Sequence, residues 1–205
     1  MAIDINRFIP KLQNFINNFE LSNEEHQHFL QELRQMSVIN RYNALKTTRG
    51  TLFTSWTALH QVANNNDQES LLTMCNGFNP HQKYNLVKIQ TTDHKRTAVH
   101  FAASAGHIQI VRDLLTGLSI DHVMDVLNLA DHDGNTALLN AILEDHRSVA
   151  KAIVDCVPSG RRQELFNIAN CQPITRWLCA GNFYYIVVDC LGLICLFLVC
   201  FTASS

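Results

Sequence analysis

Proline and glycine are scarce in this sequence of 205 residues, which has 4 prolines and 8 glycines. That scarcity excludes a collagen-like chain and a linker-like chain. An excess of charge of one sign is also lacking, because 16 basic residues against 18 acidic residues leave a net charge of −2. A protein that binds nucleic acid by neutralising phosphates needs a clear basic excess. We therefore expect no nucleic-acid partner.

Paired cysteine motifs are lacking as well. The 7 cysteines are odd in number, and none of them belongs to a C-x-x-C pair. This pattern favours reduced, mostly buried thiols in a cytosol-like compartment over a disulfide framework. Residues 1–20 carry Asp4 and no continuous apolar run, so no secretory signal peptide is expected there. These features predict a cytoplasmic protein.

What the sequence does contain is a segment that recurs. Residues 97–115 read TAVHFAASAGHIQIVRDLL, a pattern typical of two short helices around a glycine turn. Related segments begin at Thr57 and Thr136, and a weaker one begins at Gln172, so that the spacings are 40, 39 and 36 residues. A unit this small cannot bury its own apolar face. We therefore expect the copies to stack on one another.

This segment resembles the ankyrin-repeat signature T-P-L-H-x-A-A-x-x-G-H-x-x-I-V-x-x-L-L. The resemblance implies an all-α ankyrin-repeat solenoid over residues 51–191, with repeats at about 51–90, 91–129, 130–166 and 167–191. It also implies protein binding rather than catalysis. The enlarged spacing, against roughly 33 residues in the family, loosely resembles that of ankyrin proteins of intracellular bacteria.

Two further sets of positions support the repeats without relying on those letters. The tenth position of each copy must turn the chain in a left-handed conformation, and it holds Asn66, Gly106, Asp145 and Gly181, residues that tolerate this geometry. Apolar and small residues also recur at helical spacing. They are Val62, Ala63, Leu71, Met74 and Cys75, then Ala102, Ala103, Ile110, Val111, Leu114 and Leu115, then Ala141, Ile142, Val149, Ala150, Ile153 and Val154.

The fourth copy departs from the pattern. Trp177 and Leu178 occupy its small-residue positions, and Asp189 falls where an aliphatic residue belongs. Two interpretations stay open: an atypical terminal cap, which is common in repeat proteins, or a repeat abandoned midway.

Residues 1–50 form a predicted N-terminal helical cap. A helix with one apolar face comes first. That face consists of Ile5, Phe8, Ile9, Leu12, Phe15, Ile16 and Phe19. Ser22 and Glu25 form a capping box for a second helix, whose inward residues are Phe29, Leu30, Leu33 and Met36, and a third helix carries Val38, Ile39, Tyr42 and Leu45. We expect these helices to cover the open end of the array, and a separate adaptor module is the alternative.

Three connectors between the repeats carry short helical patterns, at residues 80–89, 120–128 and 159–168. Each has apolar residues spaced to dock on the preceding hairpin. In the second and third connectors they are Val123, Val126 and Leu127, then Leu165, Phe166 and Ile168.

In the ankyrin family, partners contact the hairpin tips and the exposed side of the first helix. The resemblance therefore implies a set of partner-binding residues. They are Trp56, Asn64 and Asn65 in the first copy, Asp93, His94, Arg96 and Ser104 in the second, and His132, Asp133, Asn135, Leu143 and Glu144 in the third. Trp56 is the strongest anchor, since tryptophan is enriched at binding hot spots. The alternative for Trp56 is packing against the N-terminal helices.

The sequence predicts no metal ion, no cofactor and no catalytic residue. The segment Asp131 to Asn135 superficially opens a calcium loop, but Gly134 comes too early and Ile142 replaces the required acid. His26 and His28, two residues apart, face different sides of a helix. The resemblance implies a structural role for His60 and His100.

The C-terminal residues 190–203 are uncharged and number 14, too few for a typical membrane span. Extension back to Ile186 gives 18 residues and includes Asp189. Residues 186–203 are thus either a membrane anchor or a last helix buried on the repeats or on a partner. Arg161, Arg162 and Arg176 precede this segment and would keep the repeats in the cytoplasm.

The leading hypothesis is a non-enzymatic protein-interaction module of the adaptor type. The alternatives are an ankyrin adaptor anchored in a membrane by its tail, a secreted bacterial effector, and a cysteine-dependent hydrolase, for which no motif surrounds any cysteine.

Overall fold

The computed structural model describes residues 5–17, 22–47 and 55–169, and within them the chain forms short helices joined by tight turns. The N-terminal helices are α1 (Ile5–Asn17), α2 (Asn23–Gln35) and α3 (Val38–Thr47). The next are α4 (Ala58–Asn64), α5 (Gln68–Cys75), α6 (Pro80–Val87), α7 (Ala98–Ser104), α8 (Ile108–Leu115) and α9 (Ile120–Leu127). The last are α10 (Ala137–Leu143), α11 (Arg147–Asp155), a 3-10 helix (Ser159–Arg161) and α12 (Arg162–Ala169). The predicted all-α fold is confirmed.

Three helical hairpins repeat along the chain: α4–α5, α7–α8 and α10–α11, called repeats 1, 2 and 3 below. A threonine caps the first helix of each, at Thr57, Thr97 and Thr136. The turns between the two helices are left-handed, with φ of 58° at Asn66, 80° at Gly106 and 57° at Asp145. These three predicted turn positions are confirmed, because asparagine, glycine and aspartate adopt positive φ most readily.

The hairpins stack in register. The first helices α4, α7 and α10 pack side by side, and the second helices α5, α8 and α11 do the same. Ala63, Ala102, Ala103 and Ala141 are fully buried between the layers. Small side chains there let neighbouring helices approach closely.

One histidine in each of the first two repeats, His60 and His100, binds to the segment that leads into the next repeat. The backbone N–H groups of Thr57 and Thr97 donate to the Nδ1 atoms of His60 and His100, at 2.9 and 3.2 Å. Each Nε2 must then carry the proton, and it donates to the carbonyl of Ile89 at 3.0 Å or of Asn135 at 3.3 Å. Burial lowers the pKa of His100 to about 4, so this imidazole is neutral at pH 7.

A second histidine ladder, which the sequence reasoning missed, joins the turns of the hairpins. The Nε2 of His107 donates to the carbonyl of Asn64 at 3.1 Å, and the Nε2 of His146 donates to that of Ser104 at 3.0 Å. The His146 ring also lies over Gly106, where an added Cβ would come within 2.9 Å of it. The glycine therefore serves both the turn and the close approach of the next repeat.

The N-terminal helices pack against repeat 1 through two pairings, of α1 with α4 and of α2 with α5. In addition, α1 packs against α3, and α3 packs against α6. The predicted capping box is present, with Glu25 N donating to Ser22 Oγ at 3.3 Å and Ser22 N donating to Glu25 Oε2 at 3.0 Å. His26 of α2 lies 2.8 Å from Ser70 Oγ and 3.1 Å from Asp67 Oδ2 at the start of α5. This histidine therefore joins two helices.

One prediction in the cap was wrong. Ile39, expected to face inward, is 67% exposed, whereas Arg41 is only 4% exposed. Arg41 Nη1 donates to the Leu33 carbonyl at 3.1 Å, and Nη2 donates to the Asn76 carbonyl. The Asn76 carbonyl lies at the C-terminal end of α5, and the Leu33 carbonyl lies near that of α2, where it also accepts from Met36 N at 3.3 Å. The buried guanidinium thus replaces an apolar side chain by binding carbonyls at two helix ends at once.

The three predicted connector helices are present as α6, α9 and the 3-10 helix with α12. Val123, Val126, Leu127 and Leu165 are buried as expected, and the side chains of Phe166 and Ile168 lie outside the described atoms. The connectors also contact one another, since the Tyr84 ring stacks on His122 at 4.0 Å between ring centroids. They therefore add a third row of helices beside the two rows of the hairpins.

Lys83 of α6 links this third row to the hairpins. Its Nζ donates to the carbonyls of Asp113 and Thr116, at 2.5 and 2.6 Å, where α8 ends. A cation at a helix C-terminus compensates the partial negative charge of the free carbonyls. The connector after repeat 1 therefore caps the second helix of repeat 2.

Residues 170–191 of the predicted fourth repeat, including Gly181, and the apolar segment 186–203 lie outside the described residues. Within residues 5–17, 22–47 and 55–169, every helix is too short or too polar to cross a membrane.

Candidate protein-binding face

Most of the predicted binding residues fall into two rows, and together the two rows are called the inner face here. The first row is the set of loops that precede α4, α7 and α10, and the second row is the set of C-terminal ends of those helices. Stacking of α4 on α7 and of α7 on α10 brings the members of each row next to one another.

The loop before α10 is shaped by Asp131. Its Oδ1 accepts hydrogen bonds from the backbone N–H groups of Asp133 at 3.0 Å and Asn135 at 2.9 Å. Gly134, with φ of 81°, supplies the left-handed position of the turn. The Asp-x-Asp-Gly sequence thus makes a tight tip from local chemistry alone.

The loop before α7 reaches a similar shape with different residues. Thr91 takes the place of the aspartate, because its Oγ1 accepts from Arg96 N at 3.2 Å and its N–H donates to the Arg96 carbonyl at 2.9 Å. Lys95 takes the place of the glycine, with φ of 53°. A lysine in that region is strained, since Cβ crowds the neighbouring carbonyl.

Hydrogen bonds between loops fix the row. The His132 N–H donates to the His94 carbonyl at 2.8 Å, and Thr92 N donates to Ser55 Oγ at 2.8 Å. Gln90 Nε2 also bridges the carbonyls of Lys95 and Ala130, at 2.6 and 2.9 Å. The loops therefore hold one another and carry their side chains on a fixed backbone.

Asp131 also contacts side chains at the junction between repeats 2 and 3. Its carboxylate is 1% exposed, and Oδ2 accepts from Asn140 Nδ2 at 3.1 Å. Arg96 Nε, which is shielded from solvent, lies 3.5 Å from the same oxygen, while the Arg96 side chain as a whole is 30% exposed. The sequence identified Arg96 but missed Asp131 and Asn140. In the sequence, the aspartate was considered for the turn of the tip and for a calcium loop, and not for contacts with Arg96 and Asn140.

Trp56 packs against aromatic rings of repeats 1 and 2, and its role as a partner anchor stays a prediction. The centroid of its ring lies 4.5 Å from that of the Phe101 ring, on the first helix of the next repeat, and 6.4 Å from that of the His60 ring. Its indole nitrogen is shielded and has no hydrogen-bond partner among the described residues. The part of the side chain that remains exposed is therefore carbon.

The other predicted binding residues differ in exposure. The side chains of His94, His132, Asp133 and Glu144 are exposed at or beside the tips. The remaining residues are half-buried, namely Asn64, Asn65, Asp93, Ser104, Asn135 and Leu143. No ligand tests any of these positions, so their role in binding stays a prediction.

The described cysteines do not have the properties of nucleophiles. Burial raises the pKa of the Cys75 thiol to about 11 and also raises that of Cys156. An activated cysteine needs the opposite shift. Over the described ranges, no group of three or more histidine, cysteine, aspartate or glutamate side chains is arranged to hold a metal ion.

Comparison with known proteins identifies a family and shows similarity to solved structures. A family model described as ankyrin repeats (3 copies) matches residues 22–124 and 59–163. The chain is also similar to a chain in the crystal structure of the yeast ribosomal protein Rps3 in complex with its chaperone Yar1. That similarity has 18% identity and a TM-score of 0.44, and it covers 64% of this chain and 91% of the other. Curated protein sequences give no significant match.

Proposed function

The chain belongs to the ankyrin-repeat family, a non-catalytic protein-interaction fold, and from that premise we propose that it is a non-enzymatic adaptor. The adaptor binds a protein partner through the inner face. The observation that carries this proposal is the row of loops joined to one another by hydrogen bonds, with exposed side chains at their tips.

A fixed backbone favours binding because little conformational entropy is lost when the partner docks. Buried groups supply the rigidity here: Asp131 holds one loop, and His100 ties repeat 2 to the residue before the next threonine cap. The side chains of His94, His132 and Asp133 are exposed, so changes in them should have little effect on the stability of the fold.

The test is a combined variant, Arg96→Gln, Asp133→Asn and Asn135→Ala. Proximity labelling with the full chain in cells first identifies partner proteins. We expect the combined variant to lose capture of those partners while its helicity and melting temperature stay close to those of the parent chain. Only one of the three side chains contacts a buried group, which is why the fold should survive.

A matched control changes the second helices instead, with Gln109→Ala, Lys151→Gln and Asp155→Asn. These residues lie on α8 and α11, away from the loops. The control variant should capture the partners as well as the parent chain does. Equal capture by the inner-face variant would show that the partner binds elsewhere.

We further propose that the adaptor works in a reducing, cytoplasm-like compartment. Cys75 and Cys156 are free thiols, and both are partly or largely buried. That state agrees with the odd number of cysteines in the chain.

A further inference from the structure

We propose that the inner face recognises an extended segment of its partner with an apolar residue, an acidic residue and a basic residue in that order, each about three positions after the last. This inference rests on the proposed function and names the chemistry of the partner. Three neighbouring groups on the inner face carry it, one for each repeat.

The three groups occupy equivalent places. Trp56, Arg96 and Asn135 each stand directly before the threonine that caps the first helix of their repeat. Trp56 reaches forward to Phe101 in the next repeat, and Arg96 reaches forward in the same way to Asp131, which Asn140 also contacts. Phe101 and Asn140 in turn stand directly after the His100 and Leu139 positions. The same pair of positions is thus in contact at both junctions, as an aromatic pair between repeats 1 and 2 and as a polar group between repeats 2 and 3.

The first group accepts an apolar side chain. Trp56 and Phe101 pack together, and the shielded indole nitrogen leaves only carbon atoms of the Trp56 side chain at the surface. An aliphatic or aromatic residue of the partner would extend this contact and remove more apolar surface from water.

The second group accepts a carboxylate. Asp131 lies beside Nε of Arg96 and so orients the guanidinium, and the two terminal nitrogens donate no hydrogen bond to the described residues. A guanidinium presents such a pair of donors in the geometry that suits a carboxylate. Lys95, exposed at the same tip, adds positive charge. The Asp131 side chain is only 1% exposed, whereas that of Arg96 is 30% exposed and Lys95 is exposed, so the cations rather than this carboxylate face a partner at the tip before α7.

The third group accepts a cation. Asp133 is 71% exposed at the tip before α10, and Glu144 is exposed at the end of α10. The cations Lys95 and Arg96 of repeat 2, which lie beside the half-buried Asp93, are therefore followed by the exposed anions Asp133 and Glu144 of repeat 3. A partner with the opposite order of charges is favoured, and one with the same order is repelled.

The spacing follows from the geometry of the stack. Packed helices lie about 8–10 Å apart, and an extended chain advances about 3.3 Å for each residue. A segment that runs along the repeats therefore presents about three residues to each of them. The expected pattern is apolar-x-x-acidic-x-x-basic, and the reverse order appears if the segment runs in the other direction.

The test selects ligands from a displayed library of random 12-residue peptides on the purified full chain. We expect the enriched peptides to share this pattern. One synthetic peptide from the selection is then titrated by fluorescence anisotropy, together with a version in which its acidic residue is changed to the matching amide. With the parent chain, the amide version should bind at least tenfold more weakly.

Three variants separate binding from folding. Arg96→Gln should remove the difference between the acidic peptide and its amide version, and Arg96→Lys should keep part of it, because the charge remains and the paired donors do not. Lys151→Gln, which removes a cation from α11, should behave as the parent chain does. Melting temperatures of all three should lie close together, since Arg96 is partly exposed.

Peptides enriched without an acidic residue, or no enriched peptide at all, would overturn the inference. So would an unchanged preference for the acidic peptide in Arg96→Gln. These outcomes differ from failure of the proposed function, which is judged by capture of whole partner proteins in cells and concerns the inner face irrespective of the partner's charges.

Discussion

His100 should make the stability of this protein depend on pH in a range where carboxylates contribute little. The imidazole is buried, and its pKa is about 4 in the folded chain, against about 6.5 in an unfolded chain. Because the folded pKa is the lower one, the unfolded chain binds more protons between pH 6.5 and pH 4. Stability therefore falls as the pH is lowered through that range.

The size of the effect follows from the two pKa values. Linkage gives a loss of about 2 kcal/mol in the free energy of unfolding between pH 7 and pH 5, and of about 3 kcal/mol once the pH reaches 4. The first figure is a large part of the stability of a domain, typically about 5–15 kcal/mol. Most carboxylates stay ionised down to pH 5, so the interval from pH 7 to pH 5 reports mainly on histidines.

The variant that isolates the effect is His100→Gln. His100 stands at the third position of α7, where glutamine completes a capping box with Thr97. Glutamine can thus replace the bond to Thr97 N without titrating. Urea unfolding of the parent chain and of His100→Gln at pH 7, 6 and 5 should show a pH-dependent loss about 2 kcal/mol smaller in the variant.

The control is His94→Gln, which removes an exposed histidine and should leave the pH dependence of the parent chain intact. The reasoning about His100 would be refuted if the parent chain and His100→Gln lost stability equally between pH 7 and pH 5. That result would mean that the buried ring is protonated without cost, or that the chain is already open around α7.

Three further outcomes are expected. In urea unfolding, Gly106→Ala should lower the free energy of unfolding by about 1–3 kcal/mol more than Gly134→Ala does. Both glycines have φ near 80°, but only Gly106 lies under a ring, that of His146. Equal losses of stability would exclude a clash between the added methyl group and this ring. Lys95→Gly should raise the melting temperature, with a gain of about 0.5–1 kcal/mol from relief of a positive φ, and a fall would show that the lysine side chain stabilises the loop. Alkaline carbonate should release the expressed chain from membranes, because residues 190–203 are fewer than the roughly 20 that a span requires; retention in the pellet would favour the tail-anchored alternative.

The features that could be predicted from the sequence are those set by a few adjacent residues. Asn66, Gly106 and Asp145 identified the three turns because positive φ selects a few residue types. The capping box of Ser22 and Glu25 is local in the same sense. The burial of the small residues Ala102 and Ala103 followed from their recurrence at equal places in each copy.

Individual polar contacts between distant residues were not predicted. Apolar spacing grouped Ile39 with the inward residues, and it gave no sign that Arg41 would be buried against carbonyls at the ends of two helices. Lys83 similarly gains its role from α8, thirty residues further along the chain.

The candidate site shows the same division. Resemblance to the ankyrin family identified the loop tips as binding positions, and their role in binding remains a prediction. The contacts of the Asp131 carboxylate with Arg96 and Asn140 were not predicted, because those residues belong to a different loop and to a helix. Only the folded chain brings these three side chains together.

The bond from Lys83 to the end of α8 has a consequence for how such an array can grow or shrink. The lysine belongs to one copy, and the carbonyls that it caps belong to the next. A gene duplication or an engineered deletion cut at the hairpins alone would separate donor from acceptors and leave a bare helix end at the new junction. The unit that can be duplicated or deleted is therefore the hairpin together with the connector that precedes it, about 40 residues. Arrays lengthened by whole units of this kind should stay folded, whereas arrays lengthened by hairpins alone should be less stable.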